Sequence, residues 1–154
     1  MGVVIGMRGK DIKPENALKH IAGYFVGLDF TNRDLQNLNK DEGADWCLAK
    51  GTDGYAPISD FIHHSAVTDC SNVEIELKIN GETRQKSNTS KMIFDVPSMI
   101  ADISKYQELR EGDLIFTGTP EGVGVVKSGD HMVCAIRNGD DLDQDLVTLV
   151  VDIA

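Results

Sequence analysis

The feature that most constrains the fold is the alternating run from Val73 to Gly81. Apolar and polar residues alternate along this run, which is the period of a strand with one buried face. The apolar members are Val73, Ile75, Leu77 and Ile79. Asn80 and Gly81 follow directly, and an Asn-Gly pair favours the type I′ turn of a β-hairpin. The sequence therefore predicts two antiparallel strands that meet at residues 80–81.

The rest of the pattern predicts a β-dominated α+β fold. Further apolar runs predict strands at residues 2–6, 25–30, 114–116, 131–136 and 146–153. A helix is predicted at 11–24, where Pro14 suits the first turn. Thr31 and Asp34 have the spacing of a capping box that opens a second helix, and a third is predicted at 97–106. Because helices do not alternate regularly with strands, the order disfavours repeated βαβ units.

Composition excludes several classes of protein. The 154 residues carry a net charge of −10, with aspartates clustered at 140–145, and such a field repels a nucleic-acid backbone. No apolar stretch approaches the ~20 residues of a membrane helix, and the first ten residues lack the basic start of a signal peptide. Three scattered cysteines indicate neither a disulfide framework nor a Cys-x-x-Cys metal site. The adjacent His63 and His64 are interpreted as surface residues.

The segment 113–124 combines a short apolar run with a turn rich in glycine and proline. Glycines packed this densely let the backbone turn sharply or approach a ligand where a Cβ would clash. The segment lacks the Gly-Lys-Ser/Thr ending of a Walker A motif, so it is not a nucleotide phosphate loop of that type. By itself it fits a tight structural turn and a ligand-contacting loop equally well.

Four polar residues earlier in the chain are ambiguous on spacing alone. Asp29 ends an apolar run just before a helix, so it is either a cap or a ligand-binding carboxylate. Arg33 and Gln36 lie three apart on one helical face, which suits either solvent exposure or recognition of a carboxylate. Lys50 follows an apolar segment, and taken alone it is best explained as a surface lysine.

Three blocks of sequence, taken in order, resemble one known family. They are residues 23–36 (GYFVGLDFTNRDLQ), residues 46–61 (WCLAKGTDGYAPISDF) and the glycine-rich segment 113–124. Together they resemble the catalytic domain of the fumarylacetoacetate hydrolase family, in its acylpyruvase and oxaloacetate decarboxylase branch. The resemblance implies that residues 1–154 form one α+β catalytic domain, with mixed sheets rolled into a barrel-like sandwich with short helices. It also implies a homodimer.

The resemblance assigns roles to five residues. Asp29 lies where the family has a metal-binding carboxylate, which suits Mg²⁺ or Mn²⁺. Arg33, Gln36 and Thr119 match positions that bind the substrate, a small keto acid. Lys50 matches a catalytic lysine whose ammonium group would stabilise an enolate oxygen. The implied reaction is metal-dependent cleavage of a C–C bond in an acylpyruvate or oxaloacetate through a pyruvate enolate, by hydrolysis or decarboxylation.

One departure from the family pattern concerns the start of the chain. Family members carry a Glu-x-Glu pair of metal ligands immediately before a segment like Gly2–Gly6, and an upstream His/Glu dyad that activates water. Neither is present, so we expect residues 1–154 to be the catalytic domain without its N-terminal portion.

Two alternatives to an active enzyme of this branch stay open. One is a catalytically impaired fragment that only dimerises or binds a keto acid. The other is a family isomerase of ring-cleavage products. For any of the three, the expected location is intracellular, either mitochondrial or cytoplasmic, without a targeting segment in this chain. We expect no nucleic-acid or membrane partner.

Overall fold

The computed structural model describes all 154 residues, and its eight strands form two four-stranded sheets. The first sheet contains β1 (Gly2–Ile5), β2 (Ile21–Phe25), β3 (Ile62–His63) and β6 (Leu114–Phe116). The second contains β4 (Val73–Ile79), β5 (Glu82–Asn88), β7 (His131–Asn138) and β8 (Val147–Asp152). The helices are α1 (Pro14–Ala17), α2 (Arg33–Glu42), α3 (Cys47–Lys50) and α4 (Val96–Tyr106). None of them has the length and apolarity that crossing a membrane requires.

The first sheet has the strand order β3-β2-β1-β6, and every neighbouring pair is antiparallel. Since β2 and β6 both run opposite to β1, these two strands are parallel to each other. Their last residues, Phe25 and Phe116, both pair with Gly2 at the start of β1. A Cβ on Gly2 would lie 2.1 Å from Cζ of Phe25, so only glycine fits between them. The chain therefore leaves β2 and β6 at the same edge of the sheet.

The second sheet has the order β5-β4-β7-β8 and is also antiparallel throughout. The predicted hairpin is confirmed, because β4 turns into β5 through Asn80 (φ 52°) and Gly81 (φ 86°). One face of β4 packs on the core, where Leu77 lies opposite Cys134 of β7. The other predicted strands that the structure confirms, with bounds shifted by at most two residues, are 2–6, 114–116, 131–136 and 146–153.

One hydrophobic core of 19 buried residues joins the two sheets and α4. Its side chains with no more than 1% exposure are Val3, Ile5, Ala17, Val73, Ile100 and Ile136. Asp95 caps the N-terminus of α4, because its carboxylate accepts a hydrogen bond of 2.8 Å from the backbone N–H of Ser98. This cap starts the helix at the place predicted from the sequence and directs Ile100 into the core.

The opposite face of the second sheet carries a charged cluster around Arg137 of β7. The guanidinium group bonds to Glu74 and Glu76 of β4 at 3.0 Å each and to Asp145 at 2.6 Å. Burial raises the pKa of the Glu76 carboxyl, but hydrogen bonds from Arg137 and Thr83 outweigh burial and hold the pKa below its ordinary value. This nearly buried carboxylate is therefore ionised and paired.

The expectation of one helix over residues 11–24 is wrong. The helix α1 ends at Ala17, a 3₁₀ turn covers Leu18–His20, and the next five residues form β2. Hydrogen bonding to β1 on one side and β3 on the other overrides the local helical pattern. Gly23 also disfavours a helix interior, and a Cβ there would lie 2.0 Å from the carbonyl oxygen of Ile62. The strand expected at 25–30 is also wrong, because β2 covers Ile21–Phe25 and shares only Phe25 with it.

Two smaller expectations also need correction. Asn32, and not Thr31, caps α2, because the Asn32 side-chain oxygen accepts from the N–H of Leu35 at 3.1 Å. The Thr31 hydroxyl instead donates to the carbonyl oxygen of Asp29. The β-dominated α+β class is confirmed, but all strand pairs are antiparallel, so the sheets are not mixed and do not close into a barrel. The three cysteines are free, as expected.

Candidate active site

The candidate site is built on the sheet edge where β2 and β6 end. The rings of Phe25 and Phe116 meet edge to face at this edge, with centroids 5.1 Å apart. Beyond Phe25, Gly27 packs so closely that a Cβ would lie 2.7 Å from Cε1 of Phe116. The segments that carry Asp29 and Thr119 therefore leave the sheet side by side, although 90 residues separate them in sequence.

Backbone hydrogen bonds hold the Asp29 segment against the residues that follow α3. The N–H of Leu28 donates to the carbonyl of Pro57 at 3.1 Å, and the N–H of Phe30 donates to the carbonyl of Tyr55 at 2.8 Å. The N–H of the α2 cap, Asn32, donates to the carbonyl of Ala49 at 3.0 Å. These hydrogen bonds fix the end of α3 beside the point where the chain leaves β2.

Asp29 and Lys50 form an ion pair at this point. Lys50 Nζ lies 2.7 Å from Asp29 Oδ2, with side-chain exposures of 31% for the lysine and 59% for the aspartate. An ammonium group has three donors, so two of them remain for other acceptors. The two residues assigned as catalytic lysine and metal-binding carboxylate are therefore in direct contact, within reach of solvent.

Arg33 and Gln36 also contact each other, as their spacing on α2 predicted. Gln36 is buried at 7% exposure, while Arg33 is exposed. Arg33 Nη1 donates to Gln36 Oε1, so the oxygen of the amide is occupied and its NH₂ group is left as a donor. Both residues lie on the first turn of the helix that starts four residues after Asp29.

Thr119 forms no hydrogen bond with either of these two pairs. It is exposed in the glycine-rich segment after β6, and its hydroxyl accepts a bond of 2.9 Å from Nε2 of Gln85 on β5. Sequence reasoning gave Gln85 no role. No local signal marked it, because a regular register from the Asn80-Gly81 turn would put Arg84 opposite Leu77, and an irregularity between Leu77 and Lys78 instead pairs Leu77 with Gln85.

A complete metal site does not form from residues 1–154. No group of three His, Cys, Asp or Glu side chains is arranged to hold a metal ion. Asp29 offers one hard carboxylate oxygen donor, and Mg²⁺ is often held by one or two carboxylates together with water and substrate oxygens. Asp29 therefore fits as one ligand of Mg²⁺ or Mn²⁺, and the remaining ligands have to come from elsewhere.

Comparison with known families identifies the family of the chain. The model of the fumarylacetoacetate (FAA) hydrolase C-terminal region matches residues 1–153. The chain belongs to the fumarylacetoacetate hydrolase family. The resemblance inferred from the three sequence blocks is thereby confirmed.

Two curated relatives of this family member have named activities. The chain is 43% identical over 148 residues to the mitochondrial oxaloacetate decarboxylase of Dictyostelium discoideum, which covers 96% of this chain and 68% of the relative. It is 46% identical over 136 residues to the mitochondrial oxaloacetate tautomerase of Arabidopsis thaliana, which covers 88% of this chain and 61% of the relative. Both relatives are enzymes of oxaloacetate chemistry.

A solved structure extends the comparison to the fold. The fumarylpyruvate hydrolase of Pseudomonas aeruginosa, in complex with Mn²⁺ and pyruvate, superposes with a TM-score of 0.88 at 40% identity. The match covers 99% of this chain and 64% of that one. The chain thus spans about two thirds of the length of these relatives. The family and fold predictions are confirmed, whereas the roles of the five site residues, the domain assignment and the homodimer stay predictions.

Proposed function

We propose that residues 1–154 form the catalytic domain of a metal-dependent hydrolase or lyase that cleaves a C–C bond in oxaloacetate or an acylpyruvate through a pyruvate enolate. The observation that carries the proposal is the Lys50–Asp29 pair, 2.7 Å long, at the sheet edge from which the exposed Thr119 segment also departs. Small-molecule sites typically combine a few convergent polar groups in this way. The named activities of the three relatives support the same class of substrate.

The groups that bind the keto acid are hydrogen-bond donors. The guanidinium group of Arg33 and the amide NH₂ of Gln36 suit a carboxylate or keto oxygen, both of which only accept. Their mutual hydrogen bond holds the two side chains in one arrangement before the substrate arrives. Thr119 contributes a hydroxyl from the neighbouring segment.

Lys50 is the group that stabilises the developing negative charge. When the C3–C4 bond breaks, its electron pair moves into an enolate of C2 and C3 whose charge lies on the C2 oxygen. A donor fixed in position before the reaction stabilises that oxygen more in the transition state than in the ground state. Asp29 holds the Lys50 ammonium and leaves two of its donors free.

A divalent cation, when bound, would polarise the keto oxygen as a Lewis acid. Asp29 would be one of its ligands. The presence of Mn²⁺ with pyruvate in the Pseudomonas aeruginosa structure supports Mn²⁺ or Mg²⁺ as the ion.

One enolate serves each of the reactions named for the relatives. Decarboxylation of oxaloacetate releases CO₂ from C3 and leaves the pyruvate enolate. Hydrolysis of an acylpyruvate adds water to the acyl carbonyl and expels the same enolate, which then takes a proton at C3. The donors described here act on the shared pyruvate half, so they support this class of reaction without selecting one member.

The test measures pyruvate release from oxaloacetate and from acetylpyruvate in the presence of Mg²⁺. It uses the 154-residue chain and an extended chain, in which a segment with the family's Glu-x-Glu pair precedes Met1. We expect negligible activity from the short chain and recovery in the extended chain. In the extended chain, Lys50→Ala should lower kcat about 10²–10³-fold, as loss of one oxyanion donor does in other enzymes.

Lys105→Ala is the matched control for Lys50→Ala. Lys105 also forms an ion pair, with Asp102 at 2.9 Å, but on α4. We expect this variant to keep the activity of the extended chain. Equal losses in the two lysine variants, or full activity of Lys50→Ala, would contradict the role of Lys50. An extended chain that binds pyruvate but stays inactive would favour the keto-acid-binding alternative.

Proton transfer without C–C cleavage is a second candidate, because the Arabidopsis thaliana relative is named a tautomerase. The same donors would stabilise the enol of oxaloacetate after a proton leaves C3. Deuterium exchange at C3, followed by NMR, separates the two candidates. Exchange that is faster than pyruvate release, and slowed by Lys50→Ala, would support tautomerisation.

We also propose a homodimer and a mitochondrial location. The family resemblance motivates the dimer, and light scattering should give twice the chain mass of 16.8 kDa. A mass of one chain at micromolar concentration would contradict it. The mitochondrial names of both curated relatives motivate the location. A fluorescent fusion of the whole gene product should co-localise with a mitochondrial marker, and diffuse cytoplasmic signal would contradict it.

A further inference from the structure

Gln85 makes an unusual set of hydrogen bonds to the segment that carries Thr119. Its Nε2 carries two N–H groups that face three acceptors, so one N–H is shared: the Thr119 hydroxyl at 2.9 Å, the carbonyl of Pro120 at 2.8 Å and the carbonyl of Glu121 at 3.2 Å. Carbonyl oxygens only accept, so the group that faces them has to be the amide NH₂ and not the amide oxygen. The two carbonyls therefore fix which end of the Gln85 amide faces Thr119.

The same segment lies directly against the backbone of β5. A Cβ on Gly122, which has φ +97°, would lie 2.3 Å from the carbonyl oxygen of Arg84. Gln85 itself is half-buried and belongs to a strand paired along its length with β4. The position of Thr119 is consequently set by β5 as well as by the strand β6 that precedes it.

The direction of the Gln85 bond decides what the Thr119 hydroxyl can offer to a ligand. A hydroxyl that accepts from an amide N–H keeps its own proton for another partner. Thr119 is exposed, so that proton is accessible from solvent. The carboxylate and enolate oxygens of a keto acid accept hydrogen bonds and cannot donate them, and so they require a donor at this position.

We infer that Gln85 is a positioning residue, which orients the Thr119 hydroxyl as a hydrogen-bond donor to a carboxylate or enolate oxygen of the substrate. The inference rests on the proposed function, because it takes Thr119 to be a substrate-binding residue. Gln85 does not itself contact the keto acid. Its effect on binding therefore passes through the Thr119 hydroxyl.

The test replaces Gln85 by one side chain that accepts hydrogen bonds and one that only donates them. Gln85→Glu is close in shape but presents an acceptor, which takes the proton of the Thr119 hydroxyl and leaves lone pairs toward the ligand. Gln85→Lys keeps a nitrogen that only donates. Gln107→Glu is the matched control, because Gln107 is exposed at the end of α4 and the change in charge is the same.

Pyruvate binding to the extended chain is measured by calorimetry with Mg²⁺ present. We expect Gln85→Glu to weaken binding about 10- to 100-fold, the range for a hydrogen bond to a charged group. Gln85→Lys and Gln107→Glu should stay within about 3-fold of the parent. Circular dichroism melting of each variant confirms that it is folded, and Gln85→Lys tests the role even if Gln85→Glu does not fold.

A double-mutant cycle with Thr119→Val separates orientation of the hydroxyl from simple support of the loop. If Gln85 acts through the hydroxyl, Gln85→Glu should weaken pyruvate binding by less than about 2-fold in the Thr119→Val background, where the hydroxyl is absent. If Gln85→Glu weakened pyruvate binding equally with and without the Thr119 hydroxyl, the inference would be overturned. It would also be overturned if Thr119→Val bound pyruvate weakly while Gln85→Glu bound it as the parent does. Failure of the proposed function differs from both, since the parent would then not bind pyruvate or Thr119→Val would bind as the parent does.

Discussion

Replacing Arg137 by methionine should destabilise the fold strongly at neutral pH. Arg137 is the main partner of Glu74 and Glu76, whose side chains are only 12% and 9% exposed. Methionine fills a similar apolar volume along the strand but removes the charge and every donor. The substitution therefore leaves two largely buried carboxylates on this face of the sheet without the positive charge that mainly balances them.

The expected decrease in the free energy of unfolding depends on which positive charges remain near these two carboxylates. Removing one partner of a buried ion pair costs about 3–5 kcal/mol, because the other charge stays buried and uncompensated. Lys86 lies 3.3 Å from Glu74 and Lys78 lies 3.7 Å from Glu76, so part of the compensation survives. We therefore expect a loss near the lower limit, about 3 kcal/mol.

The pH dependence gives a second, independent signature. In the parent protein the pKa of Glu76 is below its ordinary value, so its contribution to stability is present above about pH 4.5 and is lost as pH falls through the folded pKa. Without Arg137, burial dominates and raises the pKa of Glu76, so the carboxyl takes up a proton more readily in the folded variant. The difference in stability between parent and variant should shrink between pH 7 and pH 4.

Urea unfolding of parent and variant at pH 7 and pH 4 measures both effects. Arg110→Met is the matched control, because the Arg110 side chain is 75% exposed and its ion pair with Glu108 is 3.8 Å long. Exposed pairs contribute about 0–1 kcal/mol, so this control should change little at either pH. A loss below about 1 kcal/mol for Arg137→Met, or a loss that grows on acidification, would refute the reasoning.

Three further predictions follow from single contacts. Asn32→Ala removes the cap of α2 and should cost about 1 kcal/mol in urea unfolding, whereas Asn37→Ala on the same helix should cost nothing. Gly23→Ala places a Cβ 2.0 Å from the carbonyl oxygen of Ile62 and should cost about 3 kcal/mol, and an unchanged melting temperature would contradict that close approach. Asp29→Asn should weaken Mg²⁺ binding to the extended chain in calorimetry, and equal affinities would remove Asp29 from the metal site.

The hairpin of β4 and β5 could be predicted from sequence because its signals are local. Alternation from Val73 to Ile79 and the Asn80-Gly81 turn specify a strand, its buried face and its partner within a dozen residues. The helix expected over 11–24 failed for the opposite reason. Pairing of residues 21–25 with β1 and β3 involves partners up to 40 residues away, and such contacts leave no periodic trace in the segment itself.

The candidate site shows the same limit of sequence-based prediction, because its contacts also join residues that are far apart in the chain. Asp29 and Lys50 are 21 residues apart, and spacing alone favoured a cap for one and a surface position for the other. Only the order of the three sequence blocks assigned both of them to one site, and their roles there stay predictions. Gln85 was missed because its contacts with residues 119–121 cross between β5 and the segment after β6, a distance that no local pattern spans.

The architecture of the first sheet bears on the proposed metal site, because it sets where a Glu-x-Glu segment before Met1 would lie. Strand β1 lies between β2 and β6, and Gly2 pairs with the last residue of each. The carbonyl of Met1 accepts a bond of 2.8 Å from the Thr117 hydroxyl, so the chain direction at this point is toward the segments that carry Asp29 and Thr119. Residues joined to Met1 would therefore emerge between these two segments. On the proposal that Asp29 binds a metal, carboxylates there would lie beside it and add oxygen ligands, so the extended chain is the appropriate one for testing metal binding and turnover.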